Sequence, residues 1–195
     1  MRAVVIVAHP NPTSFSHAIA ARVRIGLEAS GHQVIVHDLY AEGFRAAMSP
    51  DEREAYHGNL PVVDPLVIEH IADVQEAHTL VFVYPTWWSS VPAILKGWFE
   101  RVMVPGVGFV FNDDNKVRPG LTNVQRLVGI TTYGSPWHYV KTINDNGRRT
   151  IKRALRLSTG WGTRSMWLPL YGMDTLPAGK RDQFLDKVER KMRAL

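Results

Sequence analysis

Five short apolar runs alternate with segments whose apolar residues recur every three or four positions, and this alternation constrains the fold more than any other feature. The runs are Ala3 to Ala8, Gln33 to Leu39, Thr79 to Tyr84, Arg126 to Thr132 and Arg164 to Tyr171. Unbroken stretches such as AVVIVA and TLVFVY predict strands covered on both faces, the habit of parallel sheets. Between the first two runs, Phe15, Ile19, Val23 and Leu27 recur at helical spacing, with Ser14 as N-cap and Gly31 as the stop. Val91, Ile94, Leu95, Trp98, Phe99 and Val102 form the clearest stripe, with Pro92 tolerated in its first turn. Helices are also expected over Pro65 to Ala77, over Asp145 to Ser158, and around Leu185, Val188, Met192 and Leu195. Residues 40–64 read as an irregular connection with a short helix start at Ser49 to Glu52, and the stretch before Asn123 as a loop. Pro169 pushes the last strand towards a sheet edge. Strands and helices in this order, without repeat or linker, predict a single three-layer α/β domain over residues 1–195 with right-handed crossovers.

Composition narrows the chemistry. There is no cysteine, which excludes disulfides, thiolate nucleophiles and cysteine zinc sites. The eight histidines are scattered without a metal-ligand spacing, so no metal site is expected, and no G-x-S-x-G elbow is present. No segment approaches a membrane span, and the first residues lead straight into a strand, so neither a transmembrane segment nor a signal peptide is expected. The formal charge of +5 raises the question of nucleic acid, but no nucleic-acid motif accompanies it. Its one concentration is Arg148, Arg149, Lys152, Arg153 and Arg156, whose helical spacing reads first as a solvated helix face.

In a parallel α/β sheet, ligands bind at the carboxyl ends of the strands, where strand order reverses. Three loops occupy that end. HPNPTSFSHA, from His9 to Ala18, has no glycine fingerprint for a dinucleotide but sets hydroxyls and an imidazole against a helix N-terminus, where an anion is favoured. PTWWSS, from Pro85 to Ser90, and TTYGSPWHY, from Thr131 to Tyr139, combine aromatics, small hydroxyl residues and backbone kinks. A flat ligand, apolar on its faces and polar at its edge, suits such walls, and with an anion site on the first loop the fitting ligand is a flavin nucleotide.

These same stretches, together with PAILKGWFERV and STGWGTRSMWLPLYGMD, resemble the NAD(P)H:quinone oxidoreductases of the flavodoxin-like superfamily over almost the whole chain. The resemblance implies a five-stranded parallel sheet in order 2-1-3-4-5, bound FMN or alternatively FAD, NAD(P)H as electron donor, a cytoplasmic protein, and a homodimer with shared active sites. By position, His9, Thr13, Ser14, Phe15 and Ser16 would hold the flavin phosphate. Pro85, Thr86, Trp87, Trp88 and Ser89 would line the ribityl chain and ring edge, Trp88 the ring and Trp87 the ribityl side. Thr131, Thr132, Tyr133 and Gly134 would meet the pyrimidine end through backbone N–H groups. Tyr139 matches the family's catalytic tyrosine, which also lies against the cofactor. The family's histidine partner is Asp145 here, leaving adjacent His138 as the alternative catalytic group or Tyr139 as an orienting residue. Phe109 and Phe111 align with aromatics of the acceptor pocket. The implied activity is ping-pong, two-electron hydride transfer from NAD(P)H to a quinone. The alternatives are azo- or nitro-compound reduction, or a regulatory flavoprotein subunit of a potassium efflux system.

Overall fold

The computed structural model describes residues 1–56, 58 and 64–195. A five-stranded parallel sheet is formed by β1 (Arg2–Val7), β2 (Gln33–Asp38), β3 (Thr79–Pro85), β6 (Arg126–Thr132) and β7 (Arg164–Leu170). Their order, β2-β1-β3-β6-β7, is the expected 2-1-3-4-5, reversing direction between β1 and β3. Pro169 lies within β7 and faces Thr131 in register, on a strand whose other edge is unpaired within the sheet, so its missing N–H costs no ladder bond.

Each sheet face is sealed by helices. Those at Phe15–Ala29, Ala93–Val102 and Ala178–Arg193 follow the apolar stripes read from the sequence, while the helix expected over Asp145 to Ser158 is broken by a π turn at Thr150–Ala154. α1 (Phe15–Ala29) and α8 (Ala178–Arg193) cover one face, placing Ile19, Val23, Leu27, Phe184, Val188 and Met192 over Val5, Val81 and Val128. α3 (Pro65–Glu76), α4 (Ala93–Val102) and the Ile151–Leu155 stretch cover the other, with Trp98 fully buried against Phe82 and Phe99. α1 stops at Ser30 because Gly31 follows at φ +80°, a left-handed turn that glycine takes without strain. In the connection before α3, α2 (Pro50–Ala55) starts with a reciprocal capping box between Ser49 and Glu52. Within that connection, residues 57 and 59–63 lie outside the described residues. The stretch expected as plain loop before Asn123 contains a hairpin, β4 (Phe109–Phe111) and β5 (Val117–Pro119). Its strands are three residues long, too short to show a period of two.

The core carries two polar clusters. Arg101 on α4 is buried and donates to the Glu52 carboxylate at 2.6 and 3.0 Å, to Asp64 at 2.7 Å and to the Arg45 carbonyl at 2.6 Å. The second joins β2 to α3. His37 faces Glu42 at 3.0 Å through Nδ1 and Asp73 at 3.1 Å through Nε2, and it stacks on His70 with ring centroids 3.7 Å apart. Trp98 donates its indole N–H to His70 Nδ1 at 2.8 Å, which fixes His70 as the Nε2–H tautomer. His70 Nε2 lies 3.1 Å from Glu42 Oε2 but outside hydrogen-bond geometry. With its hydrogen on Nε2 and its Nδ1 lone pair taken by Trp98, His70 has no lone pair free for a metal.

Burial alone would push the His37 pKa down, but the two carboxylates outweigh it and raise it. Burial would likewise raise Glu42, but the two imidazoles hold it at about 2, against an ordinary 4.5. The His37 contribution to stability is therefore complete below its unfolded pKa, roughly 6.5, and is lost as pH rises through the raised folded value. The Glu42 contribution is complete above 4.5 and lost as pH falls towards 2. His37→Gln should thus cost most stability between about pH 4.5 and 6.5, on the order of 1–3 kcal/mol, with the gap to wild type shrinking on either side. Urea unfolding of both proteins across pH 3–9 tests this, and a pH-independent gap would refute it.

Candidate active site

At the carboxyl ends of β1, β3 and β6 lies a cleft of about 420 Å³, walled by His9, Phe15, Ser16, Pro85, Thr86, Trp87, Thr132, Gly134, Met173 and Asp174. That volume lies within the range of small-ligand sites. Its position follows from topology, because the loops after β1 and β3 diverge at the reversal point and leave a crevice between them.

The β1–α1 loop is held rigid by its own side chains. The Asn11 amide donates to His9 Nδ1 at 3.1 Å, and Asn11 Oδ1 accepts from the Thr13 amide at 2.9 Å and its hydroxyl at 2.8 Å. Because Nδ1 accepts, neutral His9 carries its hydrogen on Nε2, and burial lowers its pKa, favouring that neutral form. Ser14 caps α1 by accepting the His17 amide, and its hydroxyl also meets His17 Nδ1 at 2.9 Å. His17 Nε2 in turn meets Asp38 Oδ2 at 2.8 Å, tying the helix start to the end of β2. The hydroxyls of Thr13 and Ser14 are thus engaged within the loop. Buried Ser16 faces the cleft, and the amides of Phe15 and Ser16 belong to the first helical turn, which has no internal acceptor for them. These unengaged amides at the helix start are the feature on which the expectation of an anion site rests.

The β3–α4 loop makes a two-residue turn in which Trp87 and Ser90 exchange backbone hydrogen bonds at 3.0 and 3.2 Å. Trp88 and Ser89 occupy its centre at φ 48° and 60°, left-handed positions that strain non-glycine residues by about 1–3 kcal/mol each. The turn separates the two tryptophans. Trp87 lines the cleft with its ring 5.8 Å from that of His9, whereas Trp88 stands wholly exposed at the apex, outside the lining. Ser89 shares the apex.

On the third side, Thr86 Oγ1 and Thr131 Oγ1 are 2.9 Å apart, and the Thr86 amide donates to the Thr132 carbonyl at 2.8 Å. The Tyr133 amide donates to Leu170 and is therefore engaged, while its hydroxyl donates to Asp145 at 2.7 Å. Burial, then the Asp145 carboxylate, push the Tyr133 hydroxyl far above its ordinary pKa, so it stays a hydrogen-bond donor. Gly134 leaves room for the Asp174 carboxylate, since a Cβ there would lie 2.5 Å from Asp174 Oδ2 and would push that side chain aside. Asp145, the residue standing where a histidine was anticipated, is committed on both oxygens: Tyr133 on one and the Arg148 amide, at 3.1 Å, on the other. Tyr139 and His138 lie on α5 (Trp137–Thr142) with exposed side chains and are absent from the cleft wall. Phe109 and Phe111 pack edge to face at 5.7 Å on the hairpin and are also absent from the wall.

Residues 1–161 match a family described by its flavodoxin-like fold. Human ribosyldihydronicotinamide dehydrogenase [quinone] is 30% identical over 166 residues, covering 75% of this chain and 70% of that protein. The chain belongs to the NAD(P)H:quinone oxidoreductase family. Rat NAD(P)H dehydrogenase [quinone] 1 is 31% identical over 149 residues, 69% of this chain and 54% of that protein. A Haemophilus influenzae NAD(P)H oxidoreductase is 35% identical over 137 residues, 69% of this chain and 65% of its own length. The chain thus spans about half to two-thirds of the length of these last two relatives. Among solved structures, the NAD(P)H:quinone oxidoreductase of Methanothermobacter marburgensis superimposes with a TM-score of 0.83 at 26% identity, covering 99% of this chain and 98% of that one. A Streptococcus mutans protein reaches 0.86 at 27% identity over the full length of both.

The residues missed from sequence are those that support the family's loops. His17 and Asp38 lie 21 positions apart, and no local pattern announces their contact. Met173 and Asp174 close the cleft from beyond β7, and only the run ending at Asp174 hinted at their involvement.

Proposed function

We propose that this chain is a flavin-dependent NAD(P)H oxidoreductase that reduces quinones by ping-pong two-electron transfer, with FMN as its cofactor. One observation carries the reading: a helix N-terminus with free amides, an indole wall and the threonine-lined ends of two strands converge on a single cleft. The cleft suits the parts of FMN. Ser16, with the Phe15 and Ser16 amides and the His9 Nε2–H, would hold the phosphate. Trp87, Pro85 and Thr86 would flank the ribityl chain and ring edge, and Thr132 and Gly134 the polar end of the ring. What a flavin supplies when bound is hydride acceptance from a reduced nicotinamide and two-electron donation to a quinone, in alternating half-reactions.

The protein's share is binding, orientation and a proton. The helix terminus neutralises phosphate charge, and the Thr86–Thr131 pair fixes the ends of β3 and β6 against each other. Tyr139, exposed on α5 and outside the cleft wall, would donate a hydrogen bond to the acceptor oxygen. Asp145, held by Tyr133, orients the neighbouring loop and is not free to relay a proton. A substrate role for Phe109 and Phe111 requires a second copy of the chain, because their hairpin lies outside this chain's own cleft. No helix among the described residues is long and apolar enough to cross a membrane.

Purified protein should be yellow and should bleach anaerobically on addition of NAD(P)H, with colour restored by a quinone. The cofactor released on denaturation should have the mass of FMN. A colourless protein that takes up no added FMN would refute the reading.

A further inference from the structure

A second cleft, again about 420 Å³, opens along the flank of the helix between β6 and β7. Its wall carries six cations, Lys141, Arg148, Arg149, Lys152, Arg153 and Arg156, against one carboxylate, Asp145. Both oxygens of Asp145 are taken by Tyr133 and a backbone amide, and none of the six cations lies in a salt bridge among the described residues. Six unpaired charges in one concavity exceed the +5 net charge of the whole chain. Like charges held this close repel one another, so the arrangement is destabilising unless an anion sits among them.

Three further observations give the anion a shape. The helix carrying the cations passes from α6 (Asn146–Arg149) through a π-helical turn, Thr150–Ala154, into α7 (Leu155–Thr159), and π turns collect at functional sites. Here the turn carries Lys152 and Arg153 between the arginines on either side. The two ends of the stripe are marked by exposed tryptophans under cations: Lys141 lies 5.0 Å from the Trp137 ring and Arg156 lies 5.5 Å from Trp161. Arg156 Nε is buried without a partner. Cations beside indole faces suit a nucleotide, phosphate on the charge and base on the ring. A cavity of this size fits one nucleotide, whereas a polymer or a membrane would meet a flat or open face.

The two clefts also share a segment. Tyr133 lies in the backbone between Thr132 and Gly134 of the first cleft, and its hydroxyl holds Asp145 in the wall of the second. We propose that the basic cleft binds the 2′-phosphoadenosine end of the electron donor and makes the protein selective for NADPH over NADH. A phosphomonoester carries a charge of about −1.5 to −2 at neutral pH, which the unphosphorylated ribose lacks. Arg148, Arg149 and Arg153 supply the forked donors that match it.

This inference rests on the nicotinamide reading above, so the test separates the two. Calorimetric titration of the holoprotein with 2′,5′-ADP and with 5′-AMP, at 150 mM salt, reads the basic cleft without any turnover. The 2′-phosphate should tighten binding ~10- to 100-fold, the worth of a charge-assisted contact. The triple variant Arg148→Gln, Arg149→Gln, Arg153→Gln should lose that discrimination, together with any preference in kcat/KM for NADPH over NADH. A control with three charges removed from α8, Lys187→Gln, Arg190→Gln, Lys191→Gln, should keep both. Equal binding of the two nucleotides by wild type, or equal loss in both triple variants, would overturn the proposal. Discrimination by the binding assay in a protein that oxidises neither dinucleotide would uphold the nucleotide cleft and refute the quinone reductase instead.

Discussion

Arg101→Met is expected to lower the melting temperature by about 6–20 °C, at roughly 2–4 °C per kcal/mol for a domain of this size. Arg101 is 1% exposed and forms the centre of a buried pair with Glu52, itself 4% exposed. Burial alone would shift the Arg101 pKa down and the Glu52 pKa up, yet their contact drives both the other way, and each is held in its charged form. Removing the guanidinium leaves the carboxylate buried and uncompensated, a loss of ~3–5 kcal/mol. It also frees the Arg45 carbonyl and Asp64, which anchor the segment before α2 and the start of α3. That segment cannot drift to relieve the loss. It is pressed so closely on α4 that a Cβ on Gly97 would lie 2.2 Å from the Ala46 carbonyl oxygen. The double variant Arg101→Met, Glu52→Gln should recover part of the stability, because it removes the stranded charge and leaves an acceptor for the Ser49 cap. Thermal and urea unfolding of wild type, single and double variants measures this. A single variant within ~1 kcal/mol of wild type would mean that water reaches Glu52 freely.

Ser16→Asp is expected to weaken FMN binding on the order of 100- to 1000-fold, since a like charge set against the phosphate costs several kcal/mol. Ser16 is 3% exposed, faces the cleft and lies in the first turn of α1, where the free amides point. The effect on the apoprotein should be small, because a carboxylate at a helix N-terminus gains ~0.3–1 kcal/mol from the helix dipole, offsetting part of its burial. Ser16→Ala, which removes a hydroxyl without adding charge, should weaken binding no more than about tenfold. Fluorescence titration of the apoproteins with FMN and with riboflavin distinguishes the cause. Riboflavin has no phosphate and should bind wild type and Ser16→Asp alike. An aspartate variant that binds FMN as wild type does would place the phosphate away from α1.

Much of the scaffold was legible because its signals are local. Period-four stripes and unbroken β-branched runs marked which segments are helices and which are buried strands, and so the layered class, whereas the strand order came from the family resemblance. Trp98 and Phe99 fell on the buried side of α4 for that reason. The hairpin of Phe109 to Pro119 escaped, because three-residue strands carry too few positions for a period. The site was legible as three loops at one end of a sheet, but their internal division of labour was not. Trp87 and Trp88 are neighbours in sequence and chemically identical, yet a turn through left-handed geometry sends one into the cleft and the other into solvent. The Tyr133 amide stood in the sequence as a ligand donor, and the fold spends it on Leu170.

The sequence by itself determined the layered α/β architecture, the edge position of the strand holding Pro169, and the end of the sheet at which a ligand would bind. Those properties depend on residue type and spacing within a dozen positions. Only the tertiary structure decided that Arg101 finds Glu52 across 49 residues, that His17 finds Asp38, that Asp145 is held by Tyr133, and that the arginines after Asn146 line a cavity and not a flat solvated face. Charge interactions are set by distance and by exclusion of water, and neither is encoded in any one stretch of chain until the sheet has brought its loops and helices together.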